Sequence, residues 1–126
     1  MAKATGIGGI FLRSRDPEAL YGWYEKHLGI LRAPYGSFAF EGEEAQGTTV
    51  VAFFPLQTKH FGPGEKAVML NFRVDDLDAV LKGLKESGAA VEDARDEADY
   101  GKFGWFTDPE GNRVELWQPP VNPASK

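Results

Sequence analysis

Few residues in this chain could do chemistry, and their types narrow what that chemistry would be. The 126 residues contain no cysteine and two histidines. Without thiols there is no disulfide frame, zinc ribbon, iron–sulfur site or cysteine nucleophile. At most two ligands of any metal site can be imidazole. His60 stands in Thr58-Lys59-His60-Phe61-Gly62-Pro63-Gly64. A loop with such a Gly/Pro end often carries function, although a solvated surface histidine is the plainer role. His27 ends a helix-like segment, where a cation favours the helix dipole, and reads as structural. Arg13 and Arg73 occupy matching places in two similar segments. Such a pair suits an anionic ligand held by bidentate contacts, or equally the pairing of nearby carboxylates. Phe11, Phe53, Tyr100, Trp105 and Trp117 are the aromatic residues expected to line a pocket for a planar or apolar molecule. Trp105 and Trp117 would serve equally well as core, and Trp23, Tyr24 and Phe106 read as core. No Gly-rich phosphate loop, nucleophile elbow or paired-carboxylate motif is present.

Composition sets the outer limits. Fourteen Lys and Arg against nineteen Asp and Glu give a net charge of −5. That balance argues against a nucleic-acid partner, which needs a basic surface. The length fits one domain over 1–126. The N-terminal apolar run is cut short by Arg13 and Arg15, so no membrane span is expected. No cleavable leader is recognised, and a cytoplasmic location is expected. The tail 119–126, with three prolines, reads as a frayed end.

The elements that must position these residues follow from periodicity. Residues 7–13 read as a strand, with Phe11 and Arg13 on one face and Ile10 and Leu12 on the other. Asp16-Pro17-Glu18 is a helix start: Asp caps, Pro suits the first turn, and Glu complements the dipole. Leu20, Trp23, Tyr24, His27 and Leu28 follow at helical spacing, and Gly29 supplies the stop. Two strand-like stretches, 37–40 and 48–54, come next, around the polar segment 41–47. A second series begins with a strand over 68–74. Asp76 caps a helix with Leu77, Val80, Leu81 and Leu84 on its apolar face, and Gly88 ends it. A short strand is expected over 89–91. The segment 92–99, with six charges in eight residues, reads as a solvated loop. Residues 103–107 and 113–117 form a hairpin about Asp108-Pro109-Glu110-Gly111, a type I turn sequence. Parity on the last strand puts Glu115 and Trp117 on one face and Val114 and Leu116 toward the helix.

The two series are a duplication. Laying 10–22 over 70–82 gives three identities in thirteen positions, Arg13/Arg73, Asp16/Asp76 and Ala19/Ala79. The same strand, cap, helix, glycine order recurs in both halves. The expected architecture is α+β. Two βαβββ modules, about 7–55 and 67–118 with a linker about 56–66, form one cup-shaped mixed sheet around a shared pocket.

Three segments together resemble the vicinal oxygen chelate superfamily of glyoxalases, bleomycin-resistance proteins and extradiol dioxygenases. They are 10–19 with Trp23-Tyr24 and Leu28-Gly29, then 72–80, and the closing hairpin Asp108-Pro109-Glu110-Gly111-Asn112-Arg113-Val114-Glu115-Leu116-Trp117. The resemblance implies paired modules, a pocket and a homodimer. In metal-dependent members it implies one ligand from the first and one from the last strand of each module. Those places fall on Gly9, Val51, Met69 and Glu115. Only Glu115 is a suitable donor, since Gly and Val cannot ligate through a side chain and a thioether is a soft ligand. The resulting expectation is a metal-free, cofactor-free protein that binds an aromatic or anionic small molecule. Phe11, Arg13, Phe53, His60, Asn71, Arg73, Tyr100, Trp105 and Trp117 are the candidate contacts. The alternative is a lyase, isomerase or dioxygenase in which Glu115 acts as base or as the retained ligand of a divalent metal. A third role for Glu115 is a structural pair with Arg13 or Arg73.

Overall fold

The computed structural model describes residues 2–40, 47–63 and 66–120. The chain runs β1 (Ala4–Ser14), α1 (Pro17–Leu28), β2 (Phe38–Phe40), β3 (Thr49–Pro55), β4 (Val68–Val74), α2 (Leu77–Glu86), β5 (Ala90–Ala98), β6 (Gly101–Thr107) and β7 (Arg113–Gln118). Among the described residues these strands form one mixed sheet in the order β2-β3-β1-β4-β7-β6-β5. β1 and β4 meet antiparallel at its centre, and each has a parallel neighbour, β3 and β7 respectively. The duplication seen in the sequence is compatible with this arrangement. The first strands of the two halves pair with each other, so the halves share one sheet.

Local chemistry builds the helices as expected. Asp16 accepts a hydrogen bond from Ala19 N and Asp76 one from Ala79 N. Gly29, at φ 67°, closes α1 in the left-handed conformation that a side chain would resist. Both helices lie on one face of the sheet. Under α2, Leu77, Leu81, Val74 and Leu116 form a buried cluster. Each fully buried Leu there contributes roughly 1.5–3 kcal/mol. Under α1, Tyr21, Phe38 and Phe53 do the same. The Phe53 N–H lies beyond the end of the short β2 ladder, and the Tyr21 hydroxyl oxygen accepts its hydrogen bond at 2.9 Å.

Several elements differ from expectation. β1 is longer than 7–13. The strand after α1 is reduced in the first half to a single bridge between Arg32 and Phe38. The segment 92–99, expected as a solvated loop after a short strand at 89–91, instead belongs mostly to β5. Among the described residues this edge strand pairs only with β6, which holds its backbone while most of its side chains stay exposed. Trp23, expected in the core, is 53% exposed and packs on Tyr24 and His27 at the surface. The tail 121–126 and the segment 41–46 lie outside the described residues.

Candidate functional site

The face opposite the helices carries the candidate site. Strand parity delivers Phe11 from β1, Met69 and Asn71 from β4, Glu115 and Trp117 from β7, and Trp105 and Phe103 from β6. The registers align them: Phe11 with Met69, Asn71 with Glu115, Trp105 with Glu115, and Phe103 with Trp117.

Glu115 is the centre, and it is 3% exposed. Asn71 Nδ2 donates to its Oε1 at 2.6 Å, and Trp105 Nε1 to its Oε2 at 2.9 Å. His60 Nε2 also lies 2.9 Å from Oε2. Neither Arg13 nor Arg73 reaches the carboxylate, so the expected arginine pairing is replaced by three uncharged or titratable partners. The Asn71 orientation is fixed by this network. Its amide nitrogen must face the accepting carboxylate, which turns Oδ1 the other way, where it is buried without a hydrogen-bond partner. Gly8 makes room for it, since a Cβ there would sit 2.0 Å from Oδ1.

His60 reaches Glu115 because the described residues around it, between β3 and β4, are tied down. Arg13 donates through Nε to Lys66 O at 2.6 Å and through NH1 to Thr58 O at 3.0 Å and to Leu56 O. Arg113 NH1 donates to His60 O, while its other nitrogens grip Glu92 at 2.8 and 2.7 Å. The hydrogen bond from Arg113 holds the Glu92 carboxyl below its usual range. Phe61 is buried with Phe11, Ala52 and Met69, and the Phe54 ring stacks on His60 at 5.1 Å. His60 therefore is not a free surface histidine. Its side chain keeps 30% of its exposure at the cleft.

The cleft has two lobes that share Phe11, Tyr35 and Tyr100. One, of about 190 Å³, is bounded by Gly8, Asn71, Phe103 and Trp117. The other, of about 430 Å³, extends past Trp105, His60 and Glu115. Two expected contacts sit elsewhere. Arg13 lies at the end of β1, clamping the linker. Arg73 runs over Gly6 and Gly47 and donates to Thr48 O. Phe53 borders the larger lobe, yet its ring packs on the helix side with Tyr21 and Phe38. Parity explains this last point, because Val50, Ala52 and Phe54 are the β3 residues that face the cleft side. Sequence reasoning missed Gly8, Tyr35, Phe103, Arg113 and Glu92. Phe103 was within reach, two residues before Trp105 on the same strand face. The others carry no local signal.

The residues present do not fit the divalent ion of the resemblance. A side chain at Gly9 would meet Val50 O at 2.8 Å and the Phe11 ring at 2.9 Å. Met69 is buried among apolar side chains. The last-strand place in the first half also shifts by one residue from the expected Val51. Phe11 pairs with Ala52 as its counterpart Asn71 pairs with Glu115, so Ala52 is the true equivalent. Val51 faces α1. Glu115 is engaged with three partners. Among the described residues no group of three or more His, Cys, Asp or Glu converges.

A duplicated mixed sheet with both helices on one face and a cleft on the other defines a glyoxalase-type domain. The sequence matches the glyoxalase-like domain family over residues 9–117, and the chain belongs to that family. Solved structures of the same fold include methylmalonyl-CoA epimerase from Mycobacterium tuberculosis, at TM-score 0.68 and 17% identity, covering 98% of this chain and 93% of that one. A variant methylmalonyl-CoA epimerase from Streptomyces coelicolor in complex with 2-nitronate-propionyl-CoA matches at TM-score 0.72 and 15% identity, covering 94% and 100%. A structure described as NAD-dependent benzaldehyde dehydrogenase from Legionella pneumophila matches at 0.59 and 12%, covering 89% and 98%. At these identities the likeness is one of fold. No curated protein matches the sequence.

Proposed function

We propose that this protein is a cytoplasmic, homodimeric small-molecule binding protein whose cleft takes an apolar or aromatic ligand without a metal ion. The observation that carries this reading is the state of Glu115. Its carboxylate is surrounded by Asn71, Trp105 and His60. Both carboxylate oxygens already accept hydrogen bonds, and a carboxylate spent in this way is a poor ligand for an ion. The aromatic walls then supply affinity by apolar burial. The anionic ligand expected from Arg13 and Arg73 is dropped, because neither borders the cleft lobes. Metal analysis of protein purified without chelator, with a thermal-shift screen of small aromatic compounds, tests the reading. A bound ligand raises the melting temperature in proportion to its occupancy. About one tightly held divalent ion per chain would overturn it.

A second reading rests on the His60–Glu115 pair. A buried carboxylate accepting from Nε2–H would leave Nδ1 with a lone pair, the relation that makes a histidine a general base. The protein would then be an isomerase or lyase acting by proton transfer. Replacing His60 by Gln should abolish turnover of a true substrate without unfolding the chain, and unchanged turnover would remove this reading.

A further inference from the structure

We infer that the cleft selects organic ammonium ions, apolar molecules that carry a protonated amine, over neutral or anionic molecules with the same apolar body. The inference rests on the binding reading above and names its ligand class.

The smaller lobe is walled by Phe11, Tyr35, Tyr100, Phe103 and Trp117. Successive rings stand close: Tyr35 to Tyr100 at 6.3 Å, Tyr100 to Phe103 at 5.7 Å, and Phe103 to Trp117 at 6.2 Å. Aromatic faces carry partial negative charge and attract cations held against them. Two polar features of the cleft have the same sense. Asn71 Oδ1, a buried acceptor without a partner, belongs to the side chain that closes the lobe with Gly8. A buried acceptor left unpaired is costly, and an N–H donor brought to it would relieve that cost. The Asp96 carboxylate on β5 borders the larger lobe.

Positive charge is spoken for. Arg32, which borders the larger lobe, forms a two-pronged pair with Glu18 at 2.9 Å on both prongs. Arg113 grips Glu92 and the linker carbonyl. Apart from His60 and the Ser37, Tyr35 and Tyr100 hydroxyls, which serve either charge, an anionic head would face ring faces and the Asp96 carboxylate, whereas an ammonium head meets the same rings, the orphan acceptor in the smaller lobe and Asp96 in the larger.

Three probes with one apolar body test this: phenethylammonium, phenethyl alcohol and 3-phenylpropanoate, titrated at pH 7 by tryptophan fluorescence and protein NMR shifts. Phenethylammonium should bind at least about tenfold more tightly than 3-phenylpropanoate, the scale of a cation–π contact joined to a charge-assisted hydrogen bond. Tyr100→Ala and Asp96→Asn, both at exposed positions that leave the core untouched, should each narrow that ratio. Equal binding of the three, or tightest binding of the carboxylate, would overturn the cation preference and leave the binding reading standing. No shift with any probe up to about 10 mM, well beyond ordinary ligand affinities, would overturn both. Ammonium binding unchanged in both variants would show that the cation sits elsewhere and would overturn the assignment to this cleft.

Discussion

At the scale of single residues, Glu115 is first a structural acceptor. Replacing it by Ala leaves Asn71 Nδ2 and Trp105 Nε1 buried and unpaired, at about 1–3 kcal/mol for each orphaned donor. Glu115→Gln keeps a carbonyl oxygen and should lose clearly less. Urea midpoints of the two variants decide this, and an Ala variant as stable as the parent would refute it. Glu92 gives a pH test with a definite sign. Its folded pKa is depressed by Arg113. The stabilisation is therefore complete above the carboxylate's unfolded pKa and is lost as pH falls through the lower folded value. Melting temperature should drop more steeply on acidification in the parent than in Glu92→Gln. Parallel curves would show that the pair contributes nothing.

At the scale of elements, the linker residues 56–62 after β3 are held by side chains remote from them in sequence. Arg13 gathers the carbonyls of Leu56, Thr58 and Lys66 from the end of β1. Arg13→Met keeps the apolar stem and removes those donors. The linker should then be cut faster by a protease, with the cleft's tryptophan fluorescence shifted as His60 leaves Trp105. An unchanged cleavage rate would mean that Arg113, Phe61 and the His60–Glu115 contact hold the loop without Arg13. The packing of α2 on β6 gives a steric counterpart. A Cβ at Gly104 would lie 2.7 Å from Leu81 Cδ1. Gly104→Val should therefore cost about 1–3 kcal/mol by overpacking, read as a lower urea midpoint.

At the scale of the whole molecule, an apolar strip runs along the sheet centre on the helix-bearing face. Ile7, Ile10, Val68 and Leu70 are all substantially exposed there, with Ile10 directly opposite Leu70. The strip contains the duplicated pair itself, which suits a two-fold contact between copies. The proposed dimer should bury it, and Leu70→Glu should shift the solution mass toward the 13.9 kDa of one chain. A parent protein already at that mass would refute the dimer.

What the sequence determined by itself was everything that repeats locally. Caps, glycine stops, the Asp108 turn and the alternation of β7 each act over a few residues, so they could be read in order, and the duplication followed from them. The parity of Glu115 and Trp117 was legible for the same reason. The surroundings of Glu115 were not. Asn71 arrives by a parallel pairing 44 residues away, and His60 by a linker 55 residues away held from two sides. Arg13 and Arg73, matched in sequence, part company because Arg13 meets the linker carbonyls and Arg73 meets Thr48 O just before β3. The one-residue shift from Val51 to Ala52 shows the same limit. Which face a β-strand presents depends on register, and register is set by the neighbouring strand. Tertiary structure alone therefore decided that the lone retained carboxylate is enclosed by hydrogen-bond partners and that, among the described residues, the arginines nearest the aromatic cleft are engaged elsewhere.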